Sequence, residues 1–364
     1  MFDIALSLFL IISAIFIAPN WGNIHALKFF QFGVIGNPGY NFAQLLFFQF
    51  GVLSLFLISL FSKPRRAFND VWARVVIIIL FLLVLLHPIS VRMFGNIFLG
   101  ILLYYLVTVY TEDYKRIMNS VVFVSILNTV FALLQAVGIF LIYAPTGRID
   151  GLMCTSTHLG IYQTIALPIC YAVNPWLTIF PIISIVLSKS VAAILILAGW
   201  VLWTLRKRIF MHGSLGFMAV VSILTAFVFI LYPAVIQKIG IRLCIWLPVL
   251  QEIYQRPYIG HGFKAVQINT KVGLWENPSS LYIQLAYYGG LSLLVPLYAF
   301  IKEKFLCFDR TLVACFVIAL VAGIEKSYFD FPRLATTVII LTAFMNITKG
   351  EKDVVEIHRR SVNP

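Results

Sequence analysis

The stretch RPYIGHGFKAVQINTKVGLWENPSS, residues 256–280, closes the longest interruption in the hydrophobic pattern, and it holds side chains that could carry out acid–base chemistry. Gly260 and Gly262 flank His261, a pattern that predicts a tight turn whose backbone can approach a ligand closely. His261 has two interpretations, a proton acceptor or a residue that only shapes the turn. A Gly-x-Gly turn alone does not identify a phosphate site.

The same stretch contains two lysines and a carboxylate. Lys264 and Lys271 add positive charge that would suit an anionic ligand. Glu276 precedes a predicted helix start, where Ser279 or Ser280 could act as the N-cap. Because the N-terminus of a helix attracts negative charge, Glu276 is either a general base or a residue that interacts with the helix dipole.

Residues 235–256, VIQKIGIRLCIWLPVLQEIYQR, predict a helix with two unlike faces. The apolar positions recur at spacings of 4, 3, 4 and 3 and are Ile239, Leu243, Trp246, Leu250 and Ile253. The charged positions on another face are Lys238, Arg242, Glu252 and Arg256. We expect this helix to lie flat at a membrane interface, with the alternative of a surface helix that binds no substrate. Pro248 could kink it.

A second polar loop, APTGRIDGLMCTSTHLG, covers residues 144–160. Arg148 could grip phosphate oxygens two at a time, or pair with Asp150 two residues later. We expect His158 to cap or hydrogen-bond near the start of the helix that follows.

The composition determines the broad class of protein. The chain of 364 residues is 61% hydrophobic and 11% charged, whereas soluble domains are about a quarter charged. A bilayer is therefore the expected solvent. The five cysteines form no CxxC pair or His/Cys cluster, so we interpret them as core residues and expect no metal site. The first apolar run lacks a small-residue cleavage site, which predicts a retained helix.

Apolar runs of membrane-spanning length predict an all-α polytopic bundle of about twelve transmembrane helices in a single membrane domain, residues 1–364. The predicted helices are 3–19, 40–61, 71–88, 93–111, 117–143, 158–174, 175–188, 190–205, 214–233, 280–301, 308–325 and 334–348. The pair at 158–188 is either two short helices broken at Asn174-Pro175 or one kinked element. A large, partly helical extracytoplasmic loop covers 234–279, between helices 9 and 10, and a cytoplasmic tail covers 349–364.

Basic residues orient this bundle, because cytoplasmic loops carry an excess of Lys and Arg. The clusters KPRR, RKR and KEK all fall on one side if both termini are cytoplasmic. Basic residues still outnumber acidic ones on the opposite side, which receives the large loop. This outer charge is either solvated charge in contact with anionic headgroups or an electropositive site for an anionic substrate.

Four segments together resemble the O-antigen ligase and O-antigen polymerase superfamily. They are RIDGLMCTSTHLGIYQ, LSKSVAAILILAGW, RLCIWLPVLQEIYQRPYIGHGF and NPSSLYIQLAYYGGL, and they cover about residues 145–300. Arg242 and Trp246 match the family's Arg-x-x-x-Trp at the start of the large loop. Pro257, Gly260 and Gly262 match its Pro-x-x-Gly-x-Gly.

The resemblance implies an enzyme on the outer face of the bacterial inner membrane that transfers glycan from an undecaprenyl-pyrophosphate carrier to an acceptor sugar. The acceptor would be a glycan or the lipid A core, with membrane lipids and a chain-length regulator as further partners and no nucleic acid. No metal or cofactor is implied, since the pyrophosphate is already an activated leaving group. The residues to which the resemblance and the charge pattern give roles are Arg242, Glu276 and His261 in catalysis, and Arg148, Arg256, Lys264 and Lys271 in substrate binding.

One departure from the family favours a polymerase over a ligase. Ligases that act on the lipid A core carry a His, then Asn, Ser or Gln, then nine residues, then Gly. Counting back from Gly289 places Ser279 at the second position and Pro278 at the His. Ligation to the lipid A core therefore stays as the alternative. A membrane transporter or flippase is the alternative of another class, disfavoured by predicted helices that are nearly free of buried charge and by two unlike halves.

Overall fold

The structure is a computed structural model in which a helical bundle accounts for most of the chain. It describes residues 1–16, 42–86, 91–138, 149, 151–153, 155–211, 236, 239–262, 268–270, 273–275, 280–307, 309–324 and 334–348. The helix predicted at 214–233 and the tail at 349–364 lie outside these ranges.

The described ranges contain twelve α-helices, one 3₁₀ helix and one small hairpin. The helices are α1 Phe2–Phe16, α2 Phe42–Leu60, α3 Val71–Leu86, α4 Val91–Tyr110, α5 Tyr114–Ala136, α6 Ser156–Val173, α7 Ile179–Ser188, α8 Val191–Met211, α9 239–255, α10 Leu281–Lys304, α11 Arg310–Ala322 and α12 Leu334–Thr348, with the 3₁₀ turn at Pro175–Thr178. The hairpin pairs β1 Ile268–Thr270 with β2 Gly273–Trp275 in antiparallel register. The all-α prediction is confirmed.

Within the described part of the chain, two helices, α5 and α10, are long enough and apolar enough to cross a membrane. Where the side chains are also described, eight other apolar helical stretches cover 10–17 residues each. Of the two alternatives for 158–188, the structure shows the two helices broken at Asn174-Pro175. Asn174 has extended backbone, and its side chain accepts the amide of Trp176 (3.0 Å) to start the 3₁₀ turn before α7.

Hydrogen bonds between linkers show that several helices end at the same end of the bundle, which we name the charged end. The Asp3 carboxylate, at the start of α1, accepts the backbone amide of Asp113 (3.0 Å), between α4 and α5. The Tyr114 hydroxyl, at the start of α5, donates to Asp309 (3.2 Å), which caps α11. Arg65, which follows α2, forms a salt bridge with the carboxylate of Glu112, the residue before Asp113.

A buried ion pair ties four further elements together at the charged end. Asp70, which precedes α3, and Lys304, the last residue of α10, form a salt bridge, and each is only 2% exposed. The Tyr104 hydroxyl of α4 donates to Asp70 (2.5 Å), as does the backbone amide of Ala73 (2.8 Å), and Lys304 also reaches the Asn346 side chain of α12 (3.5 Å). Burial raises the pKa of Asp70, but Lys304 and the hydrogen bonds outweigh it and lower that pKa below 3.8. The expectation of helices nearly free of buried charge is therefore wrong at Lys304.

A buried polar chain links α5, α6 and α7. The Ser125 hydroxyl donates to Gln163 Oε1 (2.5 Å), and Gln163 Nε2 donates to Ser184 Oγ (3.3 Å). Ser184 Oγ in turn donates to Thr129 Oγ1 (2.8 Å). All four side chains are fully buried, and interhelical hydrogen bonds of this kind hold apolar helices in register.

The helix α9 packs against α3 and α10 through Ile245 and Val249, and Trp246 and Ile253 of the predicted apolar face pack beside them. The other residues of that face, Ile239, Leu243 and Leu250, are about half exposed. The apolar surface of α9 is therefore wider than the predicted stripe, and its flat position at a membrane interface stays a prediction. The helix continues through Pro248 without interruption.

We expect Lys304→Met to destabilise the protein strongly, because it leaves the Asp70 carboxylate buried without its partner. Removing one member of a buried pair costs about 3–5 kcal/mol. Thermal unfolding in detergent should show a large drop for this variant and little change for the control Lys302→Met, whose side chain is exposed. Because the folded-state pKa of Asp70 is lowered, the contribution of the pair should be complete above about pH 4 and lost as the pH falls through the folded-state pKa. Equal stability of the two Met variants would contradict the role of the pair.

Candidate functional site

The helix α10 is broken in its middle at Gly290. This residue has φ 56° and ψ −150°, a conformation far from helical that is essentially restricted to glycine. A continuous helix would pair the amide of Leu291 with the carbonyl of Tyr287, and the amide of Ser292 with that of Tyr288. The break separates both pairs, so two amides and two carbonyls require other partners.

Residues 257–262, which we name the strap, supply all four partners. The bonds are His261 N–H to Tyr287 O (2.7 Å), Gly262 N–H to Tyr288 O (3.0 Å), Leu291 N–H to Pro257 O (2.8 Å) and Ser292 N–H to Tyr258 O (2.9 Å). The strap therefore replaces the two missing helical hydrogen bonds with four bonds between chain segments. Each buried polar group left unsatisfied would cost about 1–3 kcal/mol.

Two glycines make this approach of backbones feasible. A Cβ atom on Gly260 would lie 2.6 Å from the Tyr287 carbonyl oxygen, and one on Gly290 would lie 2.4 Å from the Pro257 carbonyl oxygen. Gly260 and Gly262 also have positive φ, 62° and 74°, which confirms the predicted tight turn. The Pro-x-x-Gly-x-Gly segment and the Tyr-Tyr-Gly-Gly segment thus form one packing unit.

His261 is fixed on both its backbone and its ring. Its ring stacks on Tyr287 with centroids 4.9 Å apart, and its Nε2 lies 2.7 Å from the Glu252 carbonyl oxygen. A carbonyl only accepts, so Nε2 carries the proton and Nδ1 is the ring nitrogen that could take another. A role of His261 in shaping the turn is visible, and its role as a base stays a prediction.

The two candidate arginines of the loop lie far apart on α9. Arg242 is half-buried near the start of the helix, and Arg256 is exposed directly after its end, beside the strap. At 1.5 Å per residue they are separated by roughly 20 Å along the axis. The structure therefore brings Arg256, and not Arg242, next to His261.

Four other predicted site residues, Arg148, Lys264, Lys271 and Glu276, lie outside the described residues. The predicted N-cap Ser280 occupies the cap position of α10, but its side chain makes no cap hydrogen bond.

A second packed unit joins the loop before α6 to the turn between α7 and α8. His158 is buried, and its Nδ1 lies 2.6 Å from the hydroxyl of Thr155, the N-cap of α6, which confirms the predicted hydrogen bond near the helix start. A Cβ atom on Gly160 would lie 2.9 Å from Ser190 Cβ. Between Ser190 and α7, Lys189 adopts the left-handed conformation (φ 50°) with an exposed side chain.

The start of α10 lies at the end of the bundle opposite the charged end. We name it the strap end, because the strap bonds to the half of α10 that begins there. Leu281 N–H, at the start of α10, donates to the carbonyl of Gly323, after α11 (2.8 Å). The charged end holds the opposite termini of the same two helices, Lys304 and Asp309. The described parts of the four segments that carry the resemblance pack as two pairs.

Sequence reasoning did not assign a site role to Glu252 or Tyr287. The Glu252 side chain lies close to the Tyr287 hydroxyl, where α9 passes α10 just before the break. Two features of the sequence could have indicated this contact. They are the Gly289-Gly290 pair inside an apolar helix, and Glu252 one helical turn before Arg256.

We expect Gly290→Ala and Gly260→Ala to expel the strap, because the added methyl group would collide with a backbone carbonyl and force a strained φ. Such strain costs on the order of 1–3 kcal/mol. Limited chymotrypsin digestion should cut after Tyr258 much faster in both variants than in the wild type. The control is Gly240→Ala, since a Cβ atom there meets nothing within 4 Å. Wild-type resistance at Tyr258 in Gly290→Ala would contradict the packing described for the strap.

No protein-family model matches this chain, and no curated protein matches it significantly. Support for a function therefore comes from the residues and their geometry.

Proposed function

We propose that the chain is an extracytoplasmic glycosyltransferase that polymerises or transfers lipid-linked glycan, with an undecaprenyl-pyrophosphate-linked glycan as donor and a sugar hydroxyl as acceptor. The observation that carries this proposal is the strap seated in the broken helix α10. Irregular backbone at membrane depth is tolerated only where it is buried in protein or lines a cavity. Such breaks are a means of building polar sites in an apolar bundle.

The protein is proposed to sit in the bacterial inner membrane as a multi-pass bundle of about twelve spans, with both termini cytoplasmic. The two spanning-length helices α5 and α10 and the charge distribution support this arrangement. Arg65 and Arg66 belong to a linker of the charged end, and Lys115 lies in the first turn of α5 at the same end. The positive-inside rule assigns this end to the cytoplasm. The strap end then faces the periplasm.

An apolar cavity beside α10 suits the hydrocarbon part of such a donor. Its volume is about 300 Å³, and α3, α4, α10, α11 and α12 contribute to its wall. Leu285, Leu293 and Leu297 line it on both sides of the break in α10, and Tyr104 and Phe300 lie in its wall near the charged end. A lipid chain in this cavity would place its polar head near the strap end.

The proposed reaction is attack of an acceptor hydroxyl on the anomeric carbon, with the lipid pyrophosphate as leaving group. Arg242 and Arg148 would stabilise the developing pyrophosphate charge, together with the loop lysines. Arg256, roughly 20 Å from Arg242 along α9, would bind another part of the substrate. Glu276 and His261 are the proposed bases. No metal-ligating cluster of three His, Cys, Asp or Glu occurs within the described ranges.

A polymerase is favoured over a ligase to the lipid A core because Pro278 stands where the ligases carry their His. Transport is the candidate of another class. The break in α10 and the buried Asp70–Lys304 pair favour it, since transporters use discontinuous helices and buried charges. In transporters the helix breaks and the buried charges lie together near the midplane of the bilayer, whereas here the ion pair lies at Lys304, the last residue of α10.

The proposed function is tested by incubating the purified protein with a lipid-linked repeat unit and sizing the products on a gel. We expect longer glycans from the wild type and a loss of about a hundredfold in rate for Arg242→Ala. Arg242→Lys should remain impaired, because it keeps the charge but loses the two-pronged geometry. Gln251→Ala, an exposed position on the same helix, is the matched control. Glycan that crosses a vesicle membrane without growing would favour transport.

Orientation is tested with single cysteines in a background in which the five native cysteines are replaced by alanine. A cysteine in place of Lys271 should react with an impermeant thiol reagent applied outside spheroplasts. One in place of Lys207 should react only after the membrane is opened. The reverse pattern would place the strap end in the cytoplasm and contradict the proposed function.

A further inference from the structure

We infer that Tyr287 and the backbone carbonyl of Glu252 are positioning groups that hold the His261 ring in one tautomer and one orientation, so that His261 Nδ1 takes the proton of the attacking hydroxyl. This inference rests on the proposed function and decides between its two bases, His261 and Glu276. It adds Tyr287, which the proposed reaction does not otherwise use.

The last turn of α9 offers the Glu252 carbonyl to the strap. A continuous helix would pair this carbonyl with the amide of Arg256, but that amide donates to the Ile253 carbonyl instead (3.1 Å). The Nε2 atom of His261 takes the vacant place, 2.7 Å from the Glu252 carbonyl oxygen. A carbonyl oxygen only accepts, so this bond keeps the ring proton on Nε2 and the lone pair on Nδ1.

Tyr287 fixes the plane of the same ring. The rings of His261 and Tyr287 stack with centroids 4.9 Å apart and planes 12° apart. The backbone amide of His261 also donates to the Tyr287 carbonyl (2.7 Å). Tyr287 is buried in the apolar cluster that joins α3, α9 and α10, so the His261 ring rests on a packed surface. One residue of α10 therefore holds both the backbone and the ring of His261.

The His261 ring lies where it can accept a proton and carry the resulting charge. Its side chain is partly exposed, so a hydroxyl at the strap could reach it. The ring is bonded to the C-terminal turn of α9, and the C-terminus of a helix stabilises positive charge. Protonation of Nδ1 also strengthens the bond from Nε2–H to the Glu252 carbonyl, because a charged donor forms a stronger hydrogen bond. Both interactions grow as the proton moves, which is the condition for lowering the barrier.

The position of His261 is compatible with Arg242 at the pyrophosphate. Glu252, to which the His261 ring is bonded, lies roughly 15 Å from Arg242 along the axis of α9. The donor extends from the anomeric carbon through two phosphate groups, and the acceptor oxygen attacks the opposite side of that carbon. The base and the guanidinium are therefore required at separated positions, and the long side chain of Arg242 can extend toward the leaving group.

The step balances without a further reactant. The acceptor oxygen forms a bond to the anomeric carbon and gives its proton to His261 Nδ1. The bond from that carbon to the pyrophosphate oxygen breaks, and its electron pair leaves on the lipid pyrophosphate, beside Arg242. Transfer of the proton from Nδ1 to water then restores the neutral imidazole.

The first test separates a base from a residue that only caps α9, using the purified full-length protein and a lipid-linked repeat unit. In His261→Gln the amide can still donate to the Glu252 carbonyl but cannot take a proton, so we expect the rate to fall by about a hundredfold or more. His261→Ala should be equally impaired, and it should regain activity with added imidazole but not with pyrazole, a ring of the same size and much lower basicity.

Three results of this test would overturn the assignment of the base. They are wild-type rates in His261→Gln, an inactive His261→Ala that imidazole does not rescue, and rescue by pyrazole as well as by imidazole. Loss of transfer in Glu276→Gln together with normal transfer in His261→Gln would move the base to Glu276.

The second test measures positioning without depending on transfer. Nitrogen-15 NMR of protein labelled in histidine shows which ring nitrogen carries the proton, and the signals missing in His261→Gln belong to His261. We expect the Nε2–H tautomer alone in the wild type and both tautomers in Tyr287→Leu, with kcat roughly tenfold lower and KM unchanged. Tyr298→Leu, at an exposed position of the same helix, is the control and should match the wild type in both measurements.

The outcomes distinguish the inference from the function on which it rests. The Nδ1–H tautomer in the wild type, or an unchanged tautomer and kcat in Tyr287→Leu, would overturn the positioning roles. Absence of transfer by a wild-type protein that shows the Nε2–H tautomer would overturn the proposed function, and the base with it.

Discussion

The exchange of backbone hydrogen bonds at Gly290 is the constraint on which the strap end depends. A helix in an apolar environment cannot leave amides and carbonyls unpaired, so a break in α10 is stable only if another segment supplies partners. The strap does this for two amides and two carbonyls at distances of 2.7–3.0 Å. The backbones of the strap and α10 approach so closely that both contact positions must be glycine, Gly260 in the strap and Gly290 at the break.

The two ends of the bundle are stabilised by different interactions. The charged end is held by a buried ion pair, Asp70 with Lys304, and by side chains that cap or bridge linkers. The strap end is held largely by backbone contacts through glycines, at the break in α10 and at Gly160 beside Ser190. These backbone contacts leave the Arg256 side chain exposed. This arrangement suits a rigid fold at one end and a chemically active surface at the other.

Sequence reasoning predicted the features that depend on local pattern. The all-helical class, the separation of α6 from α7 at Asn174-Pro175 and the turn around His261 all follow from apolar runs, proline and glycine. Sequence reasoning failed where a side chain pairs with a residue far away in the sequence, and where one apolar pattern fits more than one face of a helix. Lys304 belongs to the basic cluster KEK, a pattern typical of an exposed cytoplasmic loop, whereas its buried partner Asp70 is 234 residues away in the sequence. The predicted apolar face of α9 omits Ile245 and Val249, the two residues that the structure buries, because the helix is apolar on two sides. The break in α10 depends on the strap, which no local pattern connects to it.

The central claim is that the strap is locked into the break of α10. Hydrogen exchange followed by mass spectrometry, on the wild-type protein in detergent, tests it most directly. Residues 257–262 form no regular helix or strand, so a free loop of this sequence would exchange its amides within seconds. We predict instead that the amides of His261 and Gly262 are protected to the same degree as those of Leu291 and Ser292, because the four share one set of bonds. Exchange of the strap at the rate of an unstructured peptide, with α10 protected throughout, would contradict the account.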